Sequence, residues 1–167
     1  MTAENSHNTR FAFVGMDEQM RATLRETKPL IMSVLPGILD GFYAQVARWP
    51  DTAKFFPSQK IMEHAKEMQI RHWDVIASAE FNETYVQSVT KIGETHNRLG
   101  LEPRWYIGGY SYILGGVLEL IEKQVEGGWR DRDLLETKAR MMKAVTTAAM
   151  LDMDFAISVY LEAGKRD

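Results

Sequence analysis

One histidine in this sequence is placed to do chemistry. His96 stands in the run Gly93-Glu94-Thr95-His96-Asn97-Arg98-Leu99-Gly100-Leu101-Glu102-Pro103-Arg104-Trp105-Tyr106. At about 100° per residue it shares a helical face with Tyr85, Val89, Ile92 and Leu99, so its imidazole points into the protein rather than into water. Gly100 supplies a helix stop, and Pro103 restarts a helix at a position that tolerates a missing N–H. A buried imidazole must be hydrogen-bonded, bound to a metal or destabilising.

Two other segments could surround it. Tyr43 shares an arc with Met32, Leu39 and Val46, so its ring is buried and its hydroxyl needs a partner. The segment 58–79 carries Ile61, His64, Ala65, Met68, His72, Val75 and Ala79 on one face, a surface that could line a cavity. Neither HExxH nor the paired Glu-x-x-His motif of di-iron bundles occurs, and His64 and His72 are too far apart on one helix to chelate. The chain has no cysteine, which removes thiolate ligands, thiol nucleophiles and disulfides. A single histidine in apolar surroundings is unusual for zinc but normal for haem iron, whose porphyrin supplies four donors. The residues alone leave two readings open: a hydrogen-bonded core histidine, or an iron ligand.

The elements that must position these groups are helices. Strand-like alternation is nearly absent, while 3.6-residue periodicity recurs. We expect residues 1–14 to form a flexible arm, carrying His7, ahead of one domain over 15–167. Helices are expected at 17–27, 29–48 (with Pro36-Gly37 as a kink or joint), 58–79, 82–99, 103–126 and 130–163, with a short turn at 51–56. A chain of 167 residues with net charge −3 and scattered basic residues fits one globular domain and argues against nucleic acid or an anionic membrane as partner. The absence of an apolar run near 18 residues predicts no membrane insertion, and the polar N-terminus lacks a signal peptide, so a cytoplasmic protein is expected.

The last helix, about 50 Å long at 1.5 Å per residue, carries two apolar stripes. One is Leu135, Ala139, Met142, Ala149, Met153, Ala156 and Tyr160; the other is Met141, Val145, Ala148, Phe155 and Val159. A helix apolar on two sides must bury both. The expectation is that the first stripe faces the domain's own core and the second a partner subunit. Gly108, Gly109, Gly115 and Gly116 in the preceding helix would permit close approach in a homodimer.

The pair Phe42-Tyr43, followed by His96-Asn97-Arg98-Leu99-Gly100-Leu101-Glu102-Pro103-Arg104-Trp105-Tyr106, closely resembles the globin domain of globin-coupled sensors, including bacterial aerotaxis transducers. The likeness covers roughly residues 17–163. It implies an all-α sensor globin with an N-terminal extension helix and long C-terminal helices forming a dimer bundle. It further implies that His96 is the proximal haem ligand and that the Tyr43 hydroxyl faces bound O₂, CO or NO. By position the other distal residues fall on Ala65 and Met68, where many members carry Leu and Thr or Ser, which weakens a second distal hydrogen bond. Tyr106 matches a tyrosine near the proximal histidine, and Ile92 and Leu99 share the face of His96. His64 faces the same cavity or turns toward solvent or a propionate, and His72 is assigned to packing or surface. The haem would be b-type, since no Cys-x-x-Cys-His exists for covalent attachment. The function implied is gas sensing, with output through a transmitter outside these residues and no enzymatic activity in the domain. A haem enzyme such as a nitric oxide dioxygenase, or a simple O₂-binding globin, is the alternative.

Overall fold

The computed structural model describes residues 3–125 and 132–165, and every element among them is a helix. In chain order these are α1 (Ala3–Phe13), α2 (Glu18–Arg48), α3 (Pro50–Ala53), α4 (Gln59–Ser78), α5 (Glu83–Arg98), α6 (Pro103–Gln124) and α7 (Arg132–Ala163). The expected helix ends at 126 and 130–131 lie outside the described residues.

The helix starts are written in the sequence. Asp17, Ser58 and Asn82 each accept a hydrogen bond from the backbone N–H three residues on, so α2, α4 and α5 begin with one orphan donor satisfied. Two expectations need correction. The segments 17–27 and 29–48 form one continuous helix, α2, through Pro29 and Pro36. Leu24, Ile31, Leu35 and Leu39 are fully buried along it on both sides of the prolines, and that packing outweighs two lost backbone hydrogen bonds. The expected flexible arm is largely α1, which docks on the domain: Phe11 is buried against Phe81 and Phe155. Arg10 donates to Asp154 and to Ser158 Oγ, both at 3.0 Å. His7 sits on this helix with its ring 5.6 Å from that of Phe155.

Helix α7 is the central column, packed by α2, α5 and α6 and more lightly by α4. The expected partner-facing assignment of the second stripe is overturned, while Ala149 and Ala156 of the first stripe are buried in the core as expected. Val145, Ala148 and Phe155, placed on a partner-facing stripe, lie in the domain's own core, whereas Leu135 and Ala139 of the other stripe are exposed. The glycines of α6 divide likewise. A Cβ at Gly109 would press on the Phe42 ring and one at Gly116 on Ile38, both on α2, while Gly108 and Gly115 face open space. By length and composition α2 and α7 each contain a window apolar enough to cross a membrane, so the expectation of no such run is also corrected. Much of that apolar surface is core-facing here, and in α7 the buried face also carries Asp152.

The corner between α4 and α5 is tight. Ala79 (φ 57°) and Phe81 (φ 44°) both adopt left-handed backbone, unfavourable for residues with a Cβ. Both are buried, and Arg21 fastens the turn by donating to the Glu80 carbonyl at 2.7 Å and the Ala79 carbonyl at 3.4 Å.

Candidate functional site

His96 occupies the last turn of α5, and its cap follows the sequence reading. Gly100 takes φ +74°. Its N–H bonds to Asn97 O and that of Leu101 to His96 O, both at 3.0 Å, a Schellman closure. Pro103 then opens α6 at its first turn. The imidazole is partly buried, and its Nδ1 is buried without a hydrogen-bond partner among the described residues. Burial, and secondarily the field of His72, lowers its pKa below the ordinary histidine value. The ring is therefore neutral at pH 7 and keeps a lone pair available to a hydrogen-bond donor or a metal ion.

Tyr106, one turn into α6, lies with its ring 5.2 Å from that of His96. Burial and the charge of Asp152 raise its pKa, with a hydrogen bond to Tyr110 acting the other way. Trp105 beside it leaves Nε1 buried and unpartnered, so two polar ring atoms near this end of α5 await partners. Ile92 is partly buried one turn before His96, and Leu99 is 56% exposed.

Tyr43 is buried on α2, its ring edge-on to Phe42 at 5.0 Å and to Phe56 at 5.4 Å. Its pKa is raised by burial alone, so the hydroxyl keeps its proton. Helix α2, which carries Tyr43, packs chiefly on α4, α6 and α7, and α5, which carries His96, packs chiefly on α7. The expected cavity face of α4 is open along much of its length. His64 is exposed, Ala65 partly buried, and Ile61 and Met68 are 45% and 47% exposed. Val75 is exposed as well, so an apolar row at intervals of seven residues is uncovered. Rows of this kind mark surfaces that something covers.

His72 takes the packing alternative of its expected place and adds a carboxylate partner to it. It is buried, and its Nε2 lies 2.9 Å from both oxygens of Asp152. Asp152 has no exposed surface; it also accepts from Tyr85 Oη at 2.8 Å and from Tyr110 Oη. Each of α4, α5 and α6 thus sends one donor to a single carboxylate on α7. Burial first, and the carboxylate second, holds both tyrosines well above their ordinary pKa, so they remain donors. Sequence reasoning missed Asp152. The available signal was a carboxylate at a core position of α7, in step with Val145, Ala148, Ala149, Phe155 and Ala156, which requires buried donors elsewhere in the chain.

A family model described as Protoglobin matches residues 3–166. The heme-based aerotactic transducer HemAT of Halobacterium salinarum is 26% identical over 160 residues, covering 92% of this chain. The chain spans about a third of that relative's length, 33%. The globin domain of the Geobacter sulfurreducens globin-coupled sensor superposes with a TM-score of 0.80 at 18% identity, covering 92% of this chain and 96% of that one. The ferrous globin domain of E. coli DosC superposes at 0.65 with 16% identity, covering 88% and 99%. These structural likenesses establish the globin fold.

Proposed function

The chain belongs to the protoglobin family, and on that premise we propose that it is a haem-based gas-sensing domain. The observation that carries the reading is the neutral, partly buried imidazole of His96, with an unpartnered Nδ1 among the described residues, in a chain that also leaves Ile61, Met68 and Val75 of α4 and Leu99 uncovered. In this reading His96 ligates the iron of a b-type haem. Ala65, Met68, Ile92 and Leu99 cover the ring faces, Tyr106 steadies the imidazole, and exposed His64 stands at the rim. The haem would supply an iron able to take a diatomic ligand.

The protein's own groups then discriminate among gases. Tyr43 stays protonated because its site is dry, and its hydroxyl offers a proton to the negative end of a polar ligand. O₂ gains most from that bond; CO, which carries less charge, gains less. The apolar side chains exclude water, which strengthens the hydrogen bond. We assign the output to a cytoplasmic transmitter domain or protein beyond the residues described.

A titration of the protein with haemin tests the reading. A Soret band that saturates at one equivalent is the expected result; no saturable band overturns it.

We also propose that a second copy packs on α6 and α7 where Ile107, Met150 and Leu161 are exposed and Gly108 and Gly115 open to close approach. Changing Met150 and Leu161 together to Glu is expected to give monomers by light scattering. Val145 and Phe155 are unsuitable for that test because they hold the core. A wild-type monomer at micromolar concentration overturns the dimer.

A further inference from the structure

The four members of the Asp152 cluster are not equivalent with respect to His96. Tyr85 lies on α5 itself, three turns before the histidine, and reaches the carboxylate directly. His72 approaches from α4 and spans both carboxylate oxygens. Tyr110 lies one turn beyond Tyr106 on α6, and the two rings are 5.3 Å apart. The Tyr106 ring in turn touches the His96 ring. The hydroxyl proton of Tyr110 serves Asp152, and its ring packs on that of Tyr106. The result is a continuous series of contacts from imidazole to phenol to phenol to carboxylate, crossing from α5 through α6 to α7. A hydrogen bond to a buried carboxylate is charge-assisted and strong, so a displacement at one end of such a series is passed on rather than absorbed.

We propose that Tyr110 is the positioning residue that ties the His96 side of the gas site to helix α7, with Tyr106–Tyr110–Asp152 as the route by which ligand state reaches that helix. His72 and Tyr85 hold the carboxylate in place. This rests on the haem reading above and adds the path by which the site is read.

The test is amide hydrogen exchange over residues 149–156 of α7 in the haem-loaded ferrous protein, with and without carbon monoxide. Wild type is expected to show a ligand-linked difference in exchange. Tyr110→Phe is expected to lose that difference while its Soret band and CO uptake match wild type. Tyr85→Phe removes one hydrogen bond to the same carboxylate and is expected to keep the difference. A purely structural role predicts that the two variants behave alike, so equal behaviour in either direction overturns the route. A wild-type protein that binds haem and CO yet shows no change in α7 overturns the route alone. A wild-type protein that binds no haem removes the gas-sensing reading and the route with it.

Discussion

The environments of His72 and His96 contrast in their polar neighbours. Around His72 a fully buried carboxylate gathers one imidazole nitrogen and two phenols, although His72 Nδ1 is left without a partner among the described residues. Around His96 the accounts are open: its Nδ1 and the Trp105 Nε1 are buried without partners, and apolar side chains of α4 and α5 lie uncovered. A buried carboxylate with three partners on three helices is a structural fixture, whereas a partly buried imidazole beside uncovered apolar side chains has room for a guest. The contrast supports His96 rather than His72 as the proposed ligand.

That contrast breaks or holds under substitution. The largest effect is expected from His96→Ala, which should abolish saturable haem uptake while leaving the urea midpoint of the haem-free protein nearly unchanged. Wild-type haem content and ferrous spectrum in this variant would show that another residue is the ligand. Asp152→Ala should do the reverse: three buried donors lose their acceptor, at a cost of about 3–5 kcal/mol in urea unfolding of the haem-free protein. A shift under about 1 kcal/mol would show that the cluster relaxes or admits water, and the contrast would lapse.

Tyr43→Phe removes a single hydrogen-bond donor and keeps the ring against Phe42 and Phe56. A lost bond worth about 1.5–3 kcal/mol speeds O₂ release by roughly 10- to 100-fold in stopped-flow, with CO release changing much less. Equal changes for both gases would count against donation to the ligand. The smallest effect is expected from His64→Leu. An exposed surface position contributes within about 0.5 kcal/mol, so O₂ release should stay within about twofold of wild type. A large increase, alone or on top of Tyr43→Phe, would mean that His64 swings inward.

Much of this was legible in the chain. The α5 stop at Gly100 and the α6 start at Pro103 follow from local backbone preferences, and the burial of Tyr43 and Tyr85 follows from periodicity. What was not legible depends on partners distant in sequence. Asp152 meets groups on three other helices, and no local pattern announces which donors will surround a carboxylate. The stripes of α7 misled for a related reason. A helix surrounded by α2, α5 and α6 is apolar nearly all round, so its neighbours rather than its periodicity decide which side stays in the core. α2 misled because local proline rules were overridden by a buried face running past both prolines. The roles of Tyr43, Ala65, Met68 and His64 toward a gas remain proposals that the kinetic measurements decide.

The left-handed corner at Ala79 and Phe81, locked by Arg21, has a mechanical consequence. It pins one end of the α4–α5 pair, so any widening between these helices is a rotation about that corner. His96 lies about 21 Å from the pivot along α5, whereas Tyr85 lies about 5 Å from it, at 1.5 Å per residue. A tilt of about 3° therefore carries the imidazole roughly 1 Å and the Tyr85 hydroxyl's helix position only about 0.2 Å, by the same rise. The corner makes α5 a lever whose long arm ends at His96, while its short arm leaves the carboxylate anchor almost at rest.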